Sequence, residues 1–226
     1  MQYGKVIPGV FRQRPNRFIA YVDTAEGMQI CHVKNTGRCK ELLIDGAVVY
    51  LEESFNLNRK TKFDLIAVEK GELLINMDSQ APNRTAAEYL PTLFPNLSLL
   101  RPETRFGGSR FDFYVETPDE RWFVEVKGVT LEREGIALFP DAPTARGAKH
   151  LRELCACMDK GYKACILFVI QMEGICLFTP NAATDPEFAQ ALAEASRKGV
   201  RIEAVNCLVT PGSMQIHRKI EVNLSN

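Results

Sequence analysis

The run FDFYVETPDERWFVEVKGVT places Asp112 at the start of one apolar segment and Glu125 and Lys127 near the end of a second. Side chains of a strand alternate between faces, so Glu125 and Lys127 share one face while Val124 and Val126 take the other. The intervening TPDE has turn composition, and a hairpin folded there carries Asp112 towards Glu125. Two carboxylates and an ammonium gathered in this way suit phosphodiester hydrolysis. The carboxylates are hard oxygen ligands for Mg²⁺, and the ammonium helps hold and activate water. The competing explanation is a surface ion pair that contributes little to stability. Glu103, upstream of Asp112 in RPETRFGGSRFDF, is a further carboxylate candidate for the same pocket, or else a solvated strand end.

Basic residues that could meet a phosphate chain fall in two places. Arg146, Lys149 and His150 gather near the start of a helix, where positions i, i+3 and i+4 share a face and free backbone N–H groups attract anions. A solvated polar face opposite Leu151 and Leu154 accounts for them equally well. Residues 1–40 carry Lys5, Arg12, Arg14, Arg17, Lys34, Arg38 and Lys40 against Asp23 and Glu26, a net +5 in a chain of zero formal charge. A basic amino-terminal region is thus joined to a more acidic body. In HVKNTGRCKELL, residues Asn35, Thr36, Gly37 and Arg38 read as a tight turn between a strand and an apolar helical segment, and Asn35 and Thr36 join Arg38 as candidates for nucleic-acid contact. Tyr3, Phe11, Phe18 and Tyr21 are candidates for base stacking wherever they are exposed.

The elements that must position these groups change character along the chain. Up to about residue 77, short strand-like runs (KVIPGVF, RFIAYV, MQICHV, AVVYLEE, DLIAVE and ELLINM) are broken by turn residues. So many short strands in so little chain hide their edges most economically in a small closed barrel, and the basic surface suggests an oligonucleotide-binding (OB) barrel. NRTAAEYLPTLF then reads as a helix entered through an Asn or Thr cap and closed near Pro95. LSLLRPE, SRFDFYVE and RWFVEVKGV read as strands, APTARGAKHLRELCACMDKG as a helix, and ACILFVIQ as a strand covered on both faces. DPEFAQALAEASRKG is a helix capped by Asp185 and stopped by Gly199, and RIEAVNCLV a further strand. Helix, three strands, helix, strand is the element order of the nuclease core that carries PD-(D/E)xK motifs. The expected architecture is therefore α/β (α+β): an OB-type barrel over 1–81, then a restriction-endonuclease-like mixed-sheet domain over 82–226.

Composition excludes several classes. With 46% hydrophobic and 25% charged residues the chain is globular, not disordered. No apolar run reaches membrane-spanning length and the first residues lack a signal-peptide core, so a cytoplasmic protein is expected. The seven cysteines show no CxxC pair and mostly lie in apolar runs, as buried thiols do. There is no P-loop, dinucleotide fingerprint or G-x-S-x-G.

HVKNTGR, GGSRFDF, FVEVKGVTL, ALFPDAPTARGAKHLREL and ACILFVIQ together resemble blocks of the sugar fermentation stimulation protein A family, described as DNA/RNA nuclease-like proteins. The resemblance covers nearly the whole chain. It implies a DNA-binding OB-type domain followed by a PD-(D/E)xK domain. In that domain Asp112, Glu125 and the Val126 backbone carbonyl would hold Mg²⁺ (or Mn²⁺), and Lys127 would be the catalytic lysine. Arg110 would join the residues that contact nucleic acid, DNA or also RNA, with a homodimer left open. The chain departs from the family pattern HCPNTGR/S in reading Val33-Lys34 before Asn-Thr-Gly, and Phe111, not Pro, precedes Asp112. The family name points to an alternative: a sequence-independent DNA-binding regulator of sugar (maltose) metabolism with little or no cleavage. An intact acid-acid-lysine set favours the nuclease.

Overall fold

The computed structural model describes residues 1–35, 37–56 and 58–225. Strands β1 (Val6–Asn16), β2 (Ile19–Thr24), β3 (Gly27–Val33), β4 (Val48–Glu53) and β5 (Phe63–Lys70) form a closed barrel in which β1, β2 and β3 are an antiparallel meander and β4 pairs back on β1. Closure comes from β5, which pairs antiparallel with β4 and parallel with β3 and so leaves no open edge. Alternate residues Ala20, Val22, Cys31, Val33, Val49 and Leu51 point inward and are buried. Phe11 and Tyr3 are buried as well, which removes both from the stacking candidates.

The segment after the Asn-Thr-Gly turn is not the expected helix. Residues 38–47 run as turns, with Cys39 and Leu42 buried in the barrel core. Arg14 explains the difference, because its guanidinium donates to the carbonyls of Asn35, Gly37 and Arg38, and of Arg17. Those first acceptors are engaged by a side chain, and the apolar residues act as a plug instead of a helical stripe.

A short β6 (Leu73–Asn76) folds back on β5 and leads into α1 (Ala81–Leu93). There follow β7 (Leu99–Phe106), β8 (Ser109–Glu116), β9 (Arg121–Val129), β10 (Leu131–Arg133), β11 (Ile136–Phe139), α2 (Ala145–Met158), β12 (Lys163–Ile170), β13 (Leu177–Pro180), α3 (Pro186–Lys198), β14 (Arg201–Thr210), β15 (Ser213–Lys219) and β16 (Glu221–Val222). The main sheet has the order β15-β14-β12-β9-β8-β7, with β9, β12 and β14 parallel at its centre. β12 is covered on both sides, as its continuous apolar run requires. α1 packs on one face against Val124, Val126, Leu167 and Val169. α2 and α3 pack on the other against Phe123, Ile166 and Phe168, in a core continuous with that of the barrel. β10, β11, β13 and β16 form a separate small sheet that sequence periodicity did not reveal.

Helix starts differ in instructive ways. Thr144 and Asp185 cap α2 and α3 through their side chains, and Gly199 ends α3 in the left-handed conformation at φ 98°. α1 begins earlier than its expected Asn or Thr cap: Gln80 takes the cap position without a side-chain bond, and Pro82 occupies the first turn, where its missing N–H costs nothing. Asn83 is thereby free for other work. Among the described residues no helix is long and apolar enough to cross a membrane.

Gln171 joins the barrel exit to the end of β12. Its side-chain amide donates to the Asn76 and Asp78 carbonyls and to Asn76 Oδ1, and its own carbonyl accepts from Asn76 N at 2.9 Å.

Candidate functional site

The pairing of β8 with β9 runs from Glu116–Arg121 to Phe113–Val124 and stops there. Beyond it the alternation of β8 breaks, since Phe113 belongs to the core under α1 and Phe111 to the core under α2. Asp112 sits at this break. Its Oδ2 accepts from Val126 N at 2.8 Å, and its Oδ1 from Asn83 Nδ2 at 2.8 Å. A carboxylate thus replaces the ladder partner where the two strands separate, and α1 reaches in to fix it.

Glu125 and Lys127 share the face that looks towards α2. Lys127 Nζ lies 2.5 Å from Glu125 Oε1. The same oxygen accepts from His150 Nδ1, so His150 is an interior partner of Glu125. Glu125 is only 2% exposed and His150 5%. Glu125 Oε2 is buried with no hydrogen-bond partner among the described residues. Burial and the nearby Glu125 charge push the Asp112 carboxyl above its ordinary range, against the hydrogen bonds of Val126 and Asn83. For Glu125 burial acts in the same upward direction, but the His150 hydrogen bond and the Lys127 charge and hydrogen bond outweigh it and leave the group below its ordinary range. Two adjacent acids are therefore driven apart in acidity, an arrangement found where charge is being managed for chemistry.

The remaining sequence candidates are distributed unevenly. Glu103 does not join Asp112 and Glu125. It adopts φ 51°, its side chain is 68% exposed, and it pairs with Arg110 at 3.4 Å, because the irregular backbone of β7 turns it to solvent. Arg110, Arg146 and Lys149 line a cleft of about 370 Å³ beside His150, together with Gly108 and Ser109. Thr36 lies outside the described residues. Asn35 holds its turn together, donating to the Met77 carbonyl and accepting from Gly37 N.

On the barrel, Arg12, Arg17, Arg38 and Lys40 border a broad cleft of about 670 Å³ that extends to Ala142. Gly37 lines this cleft and also a smaller one bounded by Gly128, the residue after Lys127. The basic cleft on the barrel thus adjoins a second one that reaches Gly128 and is lined by the uncharged polar Asn35, Ser79, Thr130 and Gln171 and by Asp141. Two of the expected phosphate contacts are engaged within the fold instead: Arg14 by backbone carbonyls, and Lys34 by Asp78 at 3.1 Å, Glu52 at 3.5 Å and Asp64 at 3.9 Å. Arg12 pairs with Asp23 and Asp45, both exposed. Asn83 was absent from the sequence candidates, and nothing in its local pattern marks it; only the docking of α1 on the sheet brings it to Asp112.

Comparison with known proteins agrees with this architecture. A family model described as "Sugar fermentation stimulation protein RE domain" matches residues 80–213, and one described as "SfsA N-terminal OB domain" matches residues 13–77. The chain is similar to a sugar fermentation stimulation protein homolog of Ruminiclostridium cellulolyticum, 54% identical over 99% of this chain and 100% of the relative. It is also similar to that of Clostridium beijerinckii, at 51% over 99% and 100%. The Pyrococcus furiosus SfsA structure, a complex with Ca²⁺, superposes with a TM-score of 0.88 at 28% identity, covering 99% of this chain and 98% of that one. An amino-terminal OB barrel followed by a nuclease-like mixed sheet, matched along the whole chain by these relatives, means that the protein belongs to the SfsA family, the sugar fermentation stimulation proteins.

Proposed function

We propose that this protein is a metal-dependent nuclease that hydrolyses phosphodiester bonds of DNA, with RNA as a second substrate, and that the barrel holds the nucleic acid while the mixed-sheet domain cuts it. The observation that carries the proposal is Glu125 Oε2, a carboxylate oxygen buried without a partner among the described residues, near a second, partly buried acid, Asp112. A buried carboxylate oxygen left unsatisfied costs on the order of 1–3 kcal/mol or more. A divalent cation relieves both that cost and the repulsion between the two acids, and oxygen-only donors of this kind suit Mg²⁺ or Mn²⁺.

Asp112, Glu125 and the Val126 carbonyl would hold the cation, which when bound supplies Lewis-acid stabilisation of charge on the phosphate. The protein's own residues do the rest. Asn83 and the Val126 N–H set the Asp112 carboxylate, and Glu125 holds the Lys127 ammonium, 16% exposed, at the edge of the site. From there Lys127 can orient a water and hold a proton near the reacting phosphate. Arg12, Arg17, Arg38 and Lys40 draw the strand along the barrel groove, and Arg110, Arg146 and Lys149 receive it beyond the carboxylates. That the Pyrococcus furiosus relative is a complex with Ca²⁺, another oxygen-seeking cation, supports the reading.

The test is incubation of the purified protein with single-stranded DNA, duplex DNA and RNA, with and without Mg²⁺. Cleavage that requires the metal is expected. A protein that binds DNA but leaves every substrate intact over a range of metals would instead be the DNA-binding regulator.

A further inference from the structure

The buried His150 has both ring nitrogens engaged, and the partners dictate its tautomer. Arg146 Nε lies 3.3 Å from His150 Nε2 and, as part of a guanidinium, can only donate. Nε2 must therefore accept, and the imidazole proton sits on Nδ1, where it is given to Glu125 Oε1. Arg146 thus reaches Glu125 through one ring. The amino groups of its guanidinium have no partner among the described residues, and Arg146 is exposed on the rim of the cleft shared with Arg110 and Lys149. A guanidinium bound through Nε at one side keeps a planar fork for a phosphate at the other.

We propose that Arg146 and His150 form a positioning relay: a nucleic-acid phosphate seated against the Arg146 fork steadies His150, and His150 holds Glu125 with Oε2 turned to the metal. The proposal rests on the nuclease reading of the Asp112–Glu125 site and adds the coupling between substrate and cation. His150 is then a positioning residue that does not itself touch the phosphate chain, which separates it from Arg146 and Lys149 on the same helix. Coupling of this kind is reciprocal, so DNA should tighten metal binding as the metal tightens DNA binding. Direct attraction between metal and phosphate contributes to the same effect, and the test must cut the relay while leaving that attraction in place.

Substitution of His150 does so. An asparagine amide N–H occupies the place of Nδ1–H, so His150→Asn keeps the donor to Glu125 and removes the nitrogen that faces Arg146, whereas His150→Ala removes both. Mn²⁺ affinity of the full-length protein is measured by electron paramagnetic resonance, alone and with a short single-stranded DNA bearing phosphorothioate linkages that resist cleavage. Loss of a hydrogen bond that orients a metal ligand typically costs roughly tenfold or more in affinity, the loss expected for His150→Ala without DNA. His150→Asn should recover affinity to within a few-fold of wild type, yet show a smaller DNA-induced tightening than wild type.

Wild-type affinity in His150→Ala would overturn the positioning role. Full DNA-induced tightening in His150→Asn would overturn the coupling. Either result leaves the metal site standing if the wild type binds Mn²⁺, and a wild type that binds none removes the metal reading and the relay together. Should His150→Ala fail to fold, the comparison of His150→Asn with wild type still decides the coupling, and Arg146→Ala provides a second cut from the other end.

Discussion

Asp112 and Val126 meet across β8 and β9 where the two strands stop pairing: the carboxylate oxygen of one accepts the backbone N–H of the other at 2.8 Å, past the last ladder pair of Phe113 with Val124. A side chain has taken over a ladder position, so the acid is fixed by the sheet itself. The neighbouring Glu125 and Lys127 are held by each other and by His150. The three charged groups bond to one another's neighbours and not to apolar side chains: Asp112 to Asn83 and the Val126 N–H, Lys127 to Glu125, and Glu125 to His150, so their removal acts first on this polar cluster.

From this follows the expectation for the chemistry. Glu125→Ala and Lys127→Ala should each lower metal-dependent cleavage by something on the order of 10² or more, with DNA affinity nearly unchanged. Glu125→Ala should also lose metal binding, and Lys127→Ala should keep it. Cleavage rate, DNA affinity and metal affinity measured on identically purified proteins check this, and cleavage that persisted in both variants would place the reaction elsewhere or in a contaminant.

Asn83→Ala probes how Asp112 is held. Its amide supplies one of the two hydrogen bonds to that carboxylate, from an exposed side chain. The helix should therefore survive while metal affinity falls roughly tenfold, as for other residues that orient metal ligands. Calorimetric metal titration of a variant that retains the wild-type melting temperature is the measurement. An unchanged affinity would show that the Val126 N–H alone suffices.

Gly128→Ala should destabilise the whole protein. A Cβ there would collide with Gln171 Oε1 and lie 2.6 Å from Pro82 Cγ. Gln171 cannot move aside without giving up its bonds to the barrel exit, and Pro82 is fixed in the first turn of α1. Overpacking of this kind typically costs about 1–3 kcal/mol. A thermal melt unchanged from wild type would show that the junction yields more easily than its packing suggests.

How much of this was open to reading from the sequence depends on the range of the interaction. Glu125 and Lys127 were legible because strand periodicity is strictly local, and Asp112 because a turn of recognisable composition folds its strand back. The barrel was legible from many short strands broken by turn residues. Glu103 misled because its position suggests a neighbour of Asp112, while its left-handed backbone turns it towards Arg110. His150 was grouped with Arg146 and Lys149 by helical spacing, yet that face spans the edge of the core, and only the packing of α2 on the sheet decides which of the three turns inward. Arg14 and Lys34 look like surface cations in sequence; most of their partners lie on other loops and strands that only the folded barrel brings to them.

Stability at acid pH should report the Asp64 network. Burial alone would raise this carboxyl, but hydrogen bonds from Arg59 and His32, with the charges of Arg59 and Lys34, outweigh it and hold the group below its ordinary range. A depressed acid contributes stability above its unfolded value, near pH 4, and loses it as pH falls through the lower folded value. Asp64→Asn should thus cost on the order of 1–3 kcal/mol at neutral pH, a gap that narrows once pH drops below about 4. Urea midpoints at neutral and acid pH test this, and a gap that stays constant would rule it out.

The barrel offers the sharpest contrast between a cation that meets DNA and one that holds the fold. Arg38 and Lys40 are exposed on the groove and have no ion-pair partner among the described residues. Each phosphate deprived of its cation lowers the slope of log affinity against log salt by about 0.9 for duplex and about 0.7 for single-stranded DNA. Replacing both with alanine should therefore weaken DNA binding and flatten its salt dependence by roughly one to two units, with the melting temperature unchanged. Arg14 lines the same groove, but its guanidinium satisfies four backbone carbonyls of the Asn35–Arg38 loop and Arg17. Arg14→Ala would strand those carbonyls and release the plug that carries Cys39 and Leu42. Its signature should be a lower melting temperature, with any loss of DNA affinity following from the loosened loop and not from a missing phosphate partner. Salt titrations and thermal melts of Arg14→Ala beside the Arg38→Ala, Lys40→Ala double variant separate the two roles. If Arg14→Ala melted like wild type and flattened the salt slope, its guanidinium would belong to the DNA-binding surface after all.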